Sequence, residues 1–112
     1  MHLVVLRTAG GEALLTGEIR HIAEHAFQTL ERRYPGLQVT GFSLLPHQAS
    51  FLLDFSRCDE DTARVVQFYK TEVRKLAAQK GFAAEHFWQR EHEEKNVENQ
   101  TELDAIRERW NS

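Results

Sequence analysis

Residues 44–55, LLPHQASFLLDF, constrain the fold more than any other stretch of the chain. Ala49, Phe51, Leu53 and Phe55 alternate with Gln48, Ser50, Leu52 and Asp54. Successive side chains of an extended strand project to opposite faces, so the first set forms an apolar core face. The second set is more polar and lines either a site or the solvent. Pro46 and His47 make a tight break, and Leu37 to Leu45 before them is β-like. A chain built around such strands needs helices to cover the apolar face of an antiparallel sheet.

The flanking segments supply them. His2 to Arg7 is short, apolar and β-branched, and stops at Ala9-Gly10-Gly11. Thr16 is placed to cap a helix, with Glu18 in its first turn. Ile19, Ile22, Ala23, Ala26, Phe27 and Leu30 follow at helical spacing, and Tyr34-Pro35-Gly36 ends the run. Asp59-Glu60-Asp61 opens a second helix with a buried stripe of Val66, Tyr69, Val73, Leu76 and Ala77, which Gly81 terminates. Short strands are expected around Phe87-Trp88-Gln89 and Lys95-Asn96-Val97. Asn99 or Thr101 caps a last helix through Leu103, Ile106 and Trp110. The order β-α-β-β-α-β-α is an α+β, ferredoxin-like sandwich: an antiparallel sheet with helices packed on one face plus a C-terminal helix.

At 112 residues the chain suits a single domain spanning 1–112. Net charge is −3 and the isoelectric point about 6.1. Such a balance excludes a globally basic nucleic-acid binder, so any such surface is a local patch. Cys58 stands alone, without an internal disulfide partner or a metal-ligand spacing. No apolar run suggests a membrane span and the first residues lack a signal-peptide pattern, so a cytoplasmic protein with no membrane partner is expected.

Several stretches occur in a meaningful order: HLVVLR, LLPHQASFLL, FYKTEVRKL and FWQRE. In that order the chain resembles the HUH class of single-strand tyrosine transposases, the IS200-like family that includes the REP-associated enzymes. The resemblance runs from about His2 to about Trp110. It implies a central strand in which two histidines at i and i+2 hold a divalent metal against the scissile phosphate. It also implies a tyrosine on a later helix as nucleophile.

The chain departs from that pattern at each of these positions. With Pro46 on the family's proline, His47 takes the place of an asparagine, and Gln48 and Ser50 take the places of the two histidines. A neutral glutamine–serine pair is a poor anchor for a hard cation. Of the two tyrosines, Tyr34 lies in a turn and Tyr69 in an apolar stripe, while Trp110 stands near the expected nucleophile. The sequence stops at Ser112, where the resemblance would have a tail follow. The resemblance thus implies a DNA-binding protein, transposase by ancestry, that has lost catalysis. A divalent metal is expected only where activity is retained; otherwise no cofactor is. Single-stranded or hairpin DNA is the implied partner, and a homodimer is implied as well. The alternative is a non-catalytic ferredoxin-like module for dimerisation or protein contact, which the acidic balance favours.

Candidate nucleic-acid contacts are Arg7, Lys70, Trp88 and Gln89, which match positions of the resemblance, and Arg74 and Lys75, which belong to the basic patch on the same helix as Lys70. Lys70, Arg74, Lys75 and Lys80, with Arg64, make a basic helix, although cations near a helix C-terminus also complement its dipole. Trp88 suits either base stacking or a core anchor, and Gln89 either a base edge or a strand cap. His21 and His25, at i and i+4, have metal-binding spacing, and Glu18 and Glu24 beside them suit ion pairs equally well. His86 and His92 stand among Glu85, Glu91, Glu93 and Glu94, which suits either a cation or a solvated surface.

Overall fold

The computed structural model describes residues 1–82 and 86–110. Four strands, β1 (His2–Arg7), β2 (Gln38–Leu45), β3 (Gln48–Asp54) and β4 (Glu93–Asn96), form one antiparallel sheet in the order β2-β3-β1-β4. Three helices, α1 (Gly17–Arg33), α2 (Thr62–Gln79) and α3 (Gln100–Trp110), complete the expected order of elements. This is the α+β sandwich that the alternation in β3 demanded.

The period-two pattern sorts side chains as anticipated. Ala49, Phe51 and Leu53 of β3 join Val4 and Leu6 of β1 under α1 and α2. Phe27, Phe51 and Tyr69 meet there at centroid separations of 4.8–5.1 Å. The stripe of α2 is turned slightly from the sequence expectation. Val65 is fully buried, whereas Leu76 stays half-exposed at the rim between α1 and α2. On the other face, Leu52 packs with Val97, Leu103 and Ile106, so α3 covers part of the surface that α1 and α2 leave open.

Local signals resolve the remaining boundaries. Asp61 caps α2 by accepting from the Ala63 amide at 3.0 Å. Asn99, not Thr101, caps α3: its Oδ1 accepts from the Glu102 amide at 2.7 Å, and Thr101 is already inside the helix. Thr16 occupies the cap position of α1, but its hydroxyl makes no capping bond; its carbonyl accepts from the Ile19 and Arg20 amides instead. Gly36, with φ at 91°, is required where two loops cross, since a Cβ there would lie 2.0 Å from the Arg57 carbonyl oxygen. In β2 the register slips between Val39 and Gly41, leaving Thr40 as an extra residue. Trp110 lies over Gly41, where a Cβ would sit 3.5 Å from the indole.

Candidate nucleic-acid interface

Two grooves flank the segment running from Phe87 to Glu93. The first lies on the α3 face of the sheet and measures about 420 Å³. Arg7, Gln48, Ser50 and Ser43 line it from the strands, and Arg109 and Trp110 from α3. Arg7 and Gln48 are directly paired across β1 and β3, and Val5 and Ser43 flank Ser50 on either side.

The turn before β3 is pinned. The Pro46 carbonyl accepts from the Leu15 amide at 2.8 Å, and the His47 carbonyl from the Thr8 amide at 3.1 Å. The buried Thr8 hydroxyl donates to the Glu12 carbonyl at 2.6 Å and lies 3.2 Å from the His47 carbonyl. These bonds fix where Gln48 leaves the turn. Gln48 Nε2 then donates to Ser50 Oγ at 3.2 Å, so the two residues share a face, as i and i+2 on a strand must. Arg7 pairs with the Glu93 carboxylate at 3.2 Å, an exposed ion pair worth well under about 1 kcal/mol. His47 is exposed in the turn, outside the residues that line this groove.

The second groove, about 300 Å³, lies between α2 and residues 86–90. Gln67, Lys70, Thr71 and Arg74 form its helix wall, and His86, Phe87, Trp88 and Arg90 the other. Residues 87–89 extend the edge of β1. Ala9 donates its amide to the Phe87 carbonyl at 3.0 Å, and Gln89 donates to the Arg7 carbonyl at 2.8 Å. The Trp88 ring is a core anchor, 9% exposed, and its Nε1 donates to the Lys70 carbonyl at 3.1 Å. The Lys70 ammonium reaches back to the carbonyls of Gln89, at 2.9 Å, and Arg90, at 3.4 Å. Partial burial pulls that ammonium below the ordinary lysine value.

The basic helix of the sequence expectation is therefore divided. Lys70 and Arg74, one turn apart, face one groove. Lys75 sits about 140° around the helix from Lys70 and lies outside it. Lys80 pairs with Glu18 on α1 at 3.5 Å, and Arg64 with Glu60 at 3.9 Å. The basic groove on α2 and the Gln48–Ser50 face do not lie together. They are on opposite sides of the sheet, because α2 packs on the Phe51 face, and residues 87–93 run from one to the other. Arg90 and Arg109 were missed. Arg90 shows a signal only once Trp88 is placed, since it stands two residues further on, at the bend that follows the Trp88 bridge.

The tyrosines are accounted for structurally. Tyr69 is fully buried, stacks on Phe27 with ring planes 13° apart, and donates its hydroxyl to the Ala23 carbonyl at 2.9 Å. Burial holds its phenol well above the usual tyrosine value. Tyr34 packs edge-on against Phe68 under the Arg33 guanidinium. Among the described residues no group of three or more His, Cys, Asp or Glu side chains is arranged to hold a metal. That holds for the His21–His25 pair, and for His86 and His92 with their acidic neighbours. Glu85 lies outside the described residues. No described helix is long and apolar enough to cross a membrane.

No protein-family model and no curated protein matches the chain. Solved structures do. A presumed transposase from Deinococcus radiodurans R1 superposes with a TM-score of 0.73 at 12% identity, over 98% of this chain and 88% of that one. A REP-associated tyrosine transposase solved bound to a REP hairpin superposes with a TM-score of 0.76 at 16% identity, over 94% of this chain. This chain spans 60% of the length of that second structure. The resemblance carried by Pro46, Lys70 and Trp88-Gln89 thus agrees with the fold: the chain has the architecture of these transposase structures.

Proposed function

We propose that the protein binds nucleic acid, a single strand or a hairpin, and does not perform the metal-dependent strand cleavage of the transposases whose fold it shares. The observation that carries this is the placement of charge. A chain of net charge −3 gathers Lys70, Arg74 and Arg90 in one groove and Arg7 and Arg109 in the next, on either side of one short segment. The likeness to a structure solved with a REP hairpin supports hairpin DNA as the partner.

Loss of cleavage follows from the donor set. Gln48 and Ser50 are neutral and hydrogen-bonded to each other, with arginines lining the same groove, and the Glu93 carboxylate there is paired to Arg7. A hard divalent cation needs several oxygen ligands and net negative charge, so it does not suit this site. Neither tyrosine presents a free hydroxyl to the groove, and the indole of Trp110 has no ionisable hydroxyl to attack phosphorus. The test is hairpin binding at two salt concentrations, with and without Mn²⁺, followed by a denaturing gel. Binding that falls steeply with salt and yields no covalent product is expected. An adduct would refute the loss of catalysis, and flat affinity would refute phosphate recognition.

A second function, contact between protein chains, is favoured by β2. It is an edge strand that leaves Phe42 38% and Leu45 44% exposed. A tight dimer in sedimentation, with no shift of any DNA oligonucleotide, would decide for it.

A further inference from the structure

We infer that Arg74 and Arg90 are the phosphate contacts of the α2 groove, and that Lys70 is a positioning residue that sets Arg90 in place. The inference rests on nucleic-acid binding as proposed above and names the atoms that would carry it on one side of the molecule.

Lys70 invites assignment as a DNA contact because it matches the helix lysine of the resemblance and heads a run of cations on α2. Its geometry argues otherwise. The ammonium has three donors, and two point at the carbonyls of Gln89 and Arg90. The return bond from Trp88 Nε1 to the Lys70 carbonyl closes a reciprocal clamp between α2 and the 87–90 segment. Trp88 is sunk against Phe87 and Tyr69, so its ring serves the clamp and not a base.

What remains for a ligand is Arg74, one turn beyond Lys70, and Arg90, whose backbone the clamp holds. Both are exposed, and neither makes an ion pair among the described residues. Among the described residues no carboxylate lines the groove. Gln67 and Thr71 bond to each other at the rim, at 3.2 Å, and add polar atoms beside the cations. Two guanidinium forks facing a cleft of about 300 Å³ suit a phosphodiester oxygen pair better than an ammonium does.

The experiment is fluorescence anisotropy with a labelled DNA hairpin, titrated between 50 and 200 mM salt. Each phosphate contact contributes a slope of about 0.9 in log affinity against log salt, or about 3.5-fold across that range. Arg74→Gln and Arg90→Gln should each shrink the salt-dependent loss by about 3.5-fold, and the pair by about 12-fold. Lys70→Met should weaken binding through Arg90, so Lys70→Met with Arg90→Gln should be no worse than Arg90→Gln alone. In DNA-free protein, Lys70→Met should speed hydrogen exchange at the Ala9 and Gln89 amides at unchanged urea stability.

Additive losses from Lys70→Met and Arg90→Gln, with exchange unaltered, would overturn the positioning role and make Lys70 a direct contact. Unchanged salt slopes in both arginine variants, with the parent still binding the hairpin, would overturn this inference alone. A parent that binds no hairpin would overturn the nucleic-acid assignment itself.

Discussion

Replacing Tyr69 with Phe separates a structural tyrosine from a catalytic one. The side chain is 0% exposed, and its hydroxyl donates to the Ala23 carbonyl at 2.9 Å. Phe keeps the ring stacked on Phe27 at 4.8 Å and leaves a space of one oxygen atom. The Ala23 carbonyl also accepts within its own helix, so removal of the hydroxyl strands no acceptor. The cost is then one net hydrogen bond, about 1 kcal/mol. Unfolding entropy near 2.1 cal/mol/K per residue gives about 0.24 kcal/mol/K for a chain of this size, so Tm should fall by about 4 °C. Differential scanning calorimetry measures this, and hairpin affinity measured well below Tm should not change. An unshifted Tm, or binding lost while stability is kept, would show that the hydroxyl faces a ligand rather than Ala23.

Three further outcomes are expected. The raised Tyr69 phenol stays protonated in the folded chain while the unfolded chain ionises near 10.0, so stability is whole below that pH and declines above it. Urea midpoints at pH 9, 10 and 11 should fall over the last step in the parent, and by less in Tyr69→Phe. Gly36→Ala should cost at least about 3 kcal/mol, from its φ of 91° and the overlap with Arg57. Gly10→Ala, at φ 64° with nothing closer than 3.9 Å, should cost about 1 kcal/mol, as chemical denaturation would report. Gln48→His combined with Ser50→His should place two imidazoles on one face and confer metal-dependent stability, roughly 2.7 kcal/mol at a hundredfold excess over Kd. Thermal melts with and without Zn²⁺ should show a shift in the variant and none in the parent.

The strands and the first two helices were legible because alternation and a 3.6-residue stripe are written by neighbouring residues. The shared face of Gln48 and Ser50 was legible for the same reason, needing only the pleat. The charge map was not. Lys70 and Lys75 read alike in sequence, yet a rotation of about 140° puts one in a groove and the other outside it. The partner of Lys70 lies 19 residues away on a segment without regular periodicity, so neither its tether nor the exposure of Arg90 follows from local pattern. The side of the sheet taken by α2, by contrast, follows from the alternation that puts Phe51 on the apolar face, so the distance of its cations from the Gln48–Ser50 face was implicit in the same pattern.

The slipped residue at Thr40 determines how β2 tolerates changes in length. Val39 is opposite Leu53, Gly41 opposite Leu52 and Phe42 opposite Phe51, so the two halves of the strand already keep the parity of an unbroken ladder. Excising position 40 would therefore straighten the edge without inverting Phe42, Ser43 or Leu44. The indole would keep its glycine seat, and the Thr40 hydroxyl contact with the Met1 sulfur, at 3.2 Å, would go. Homologous chains one residue shorter at this point should share the same two-faced sheet.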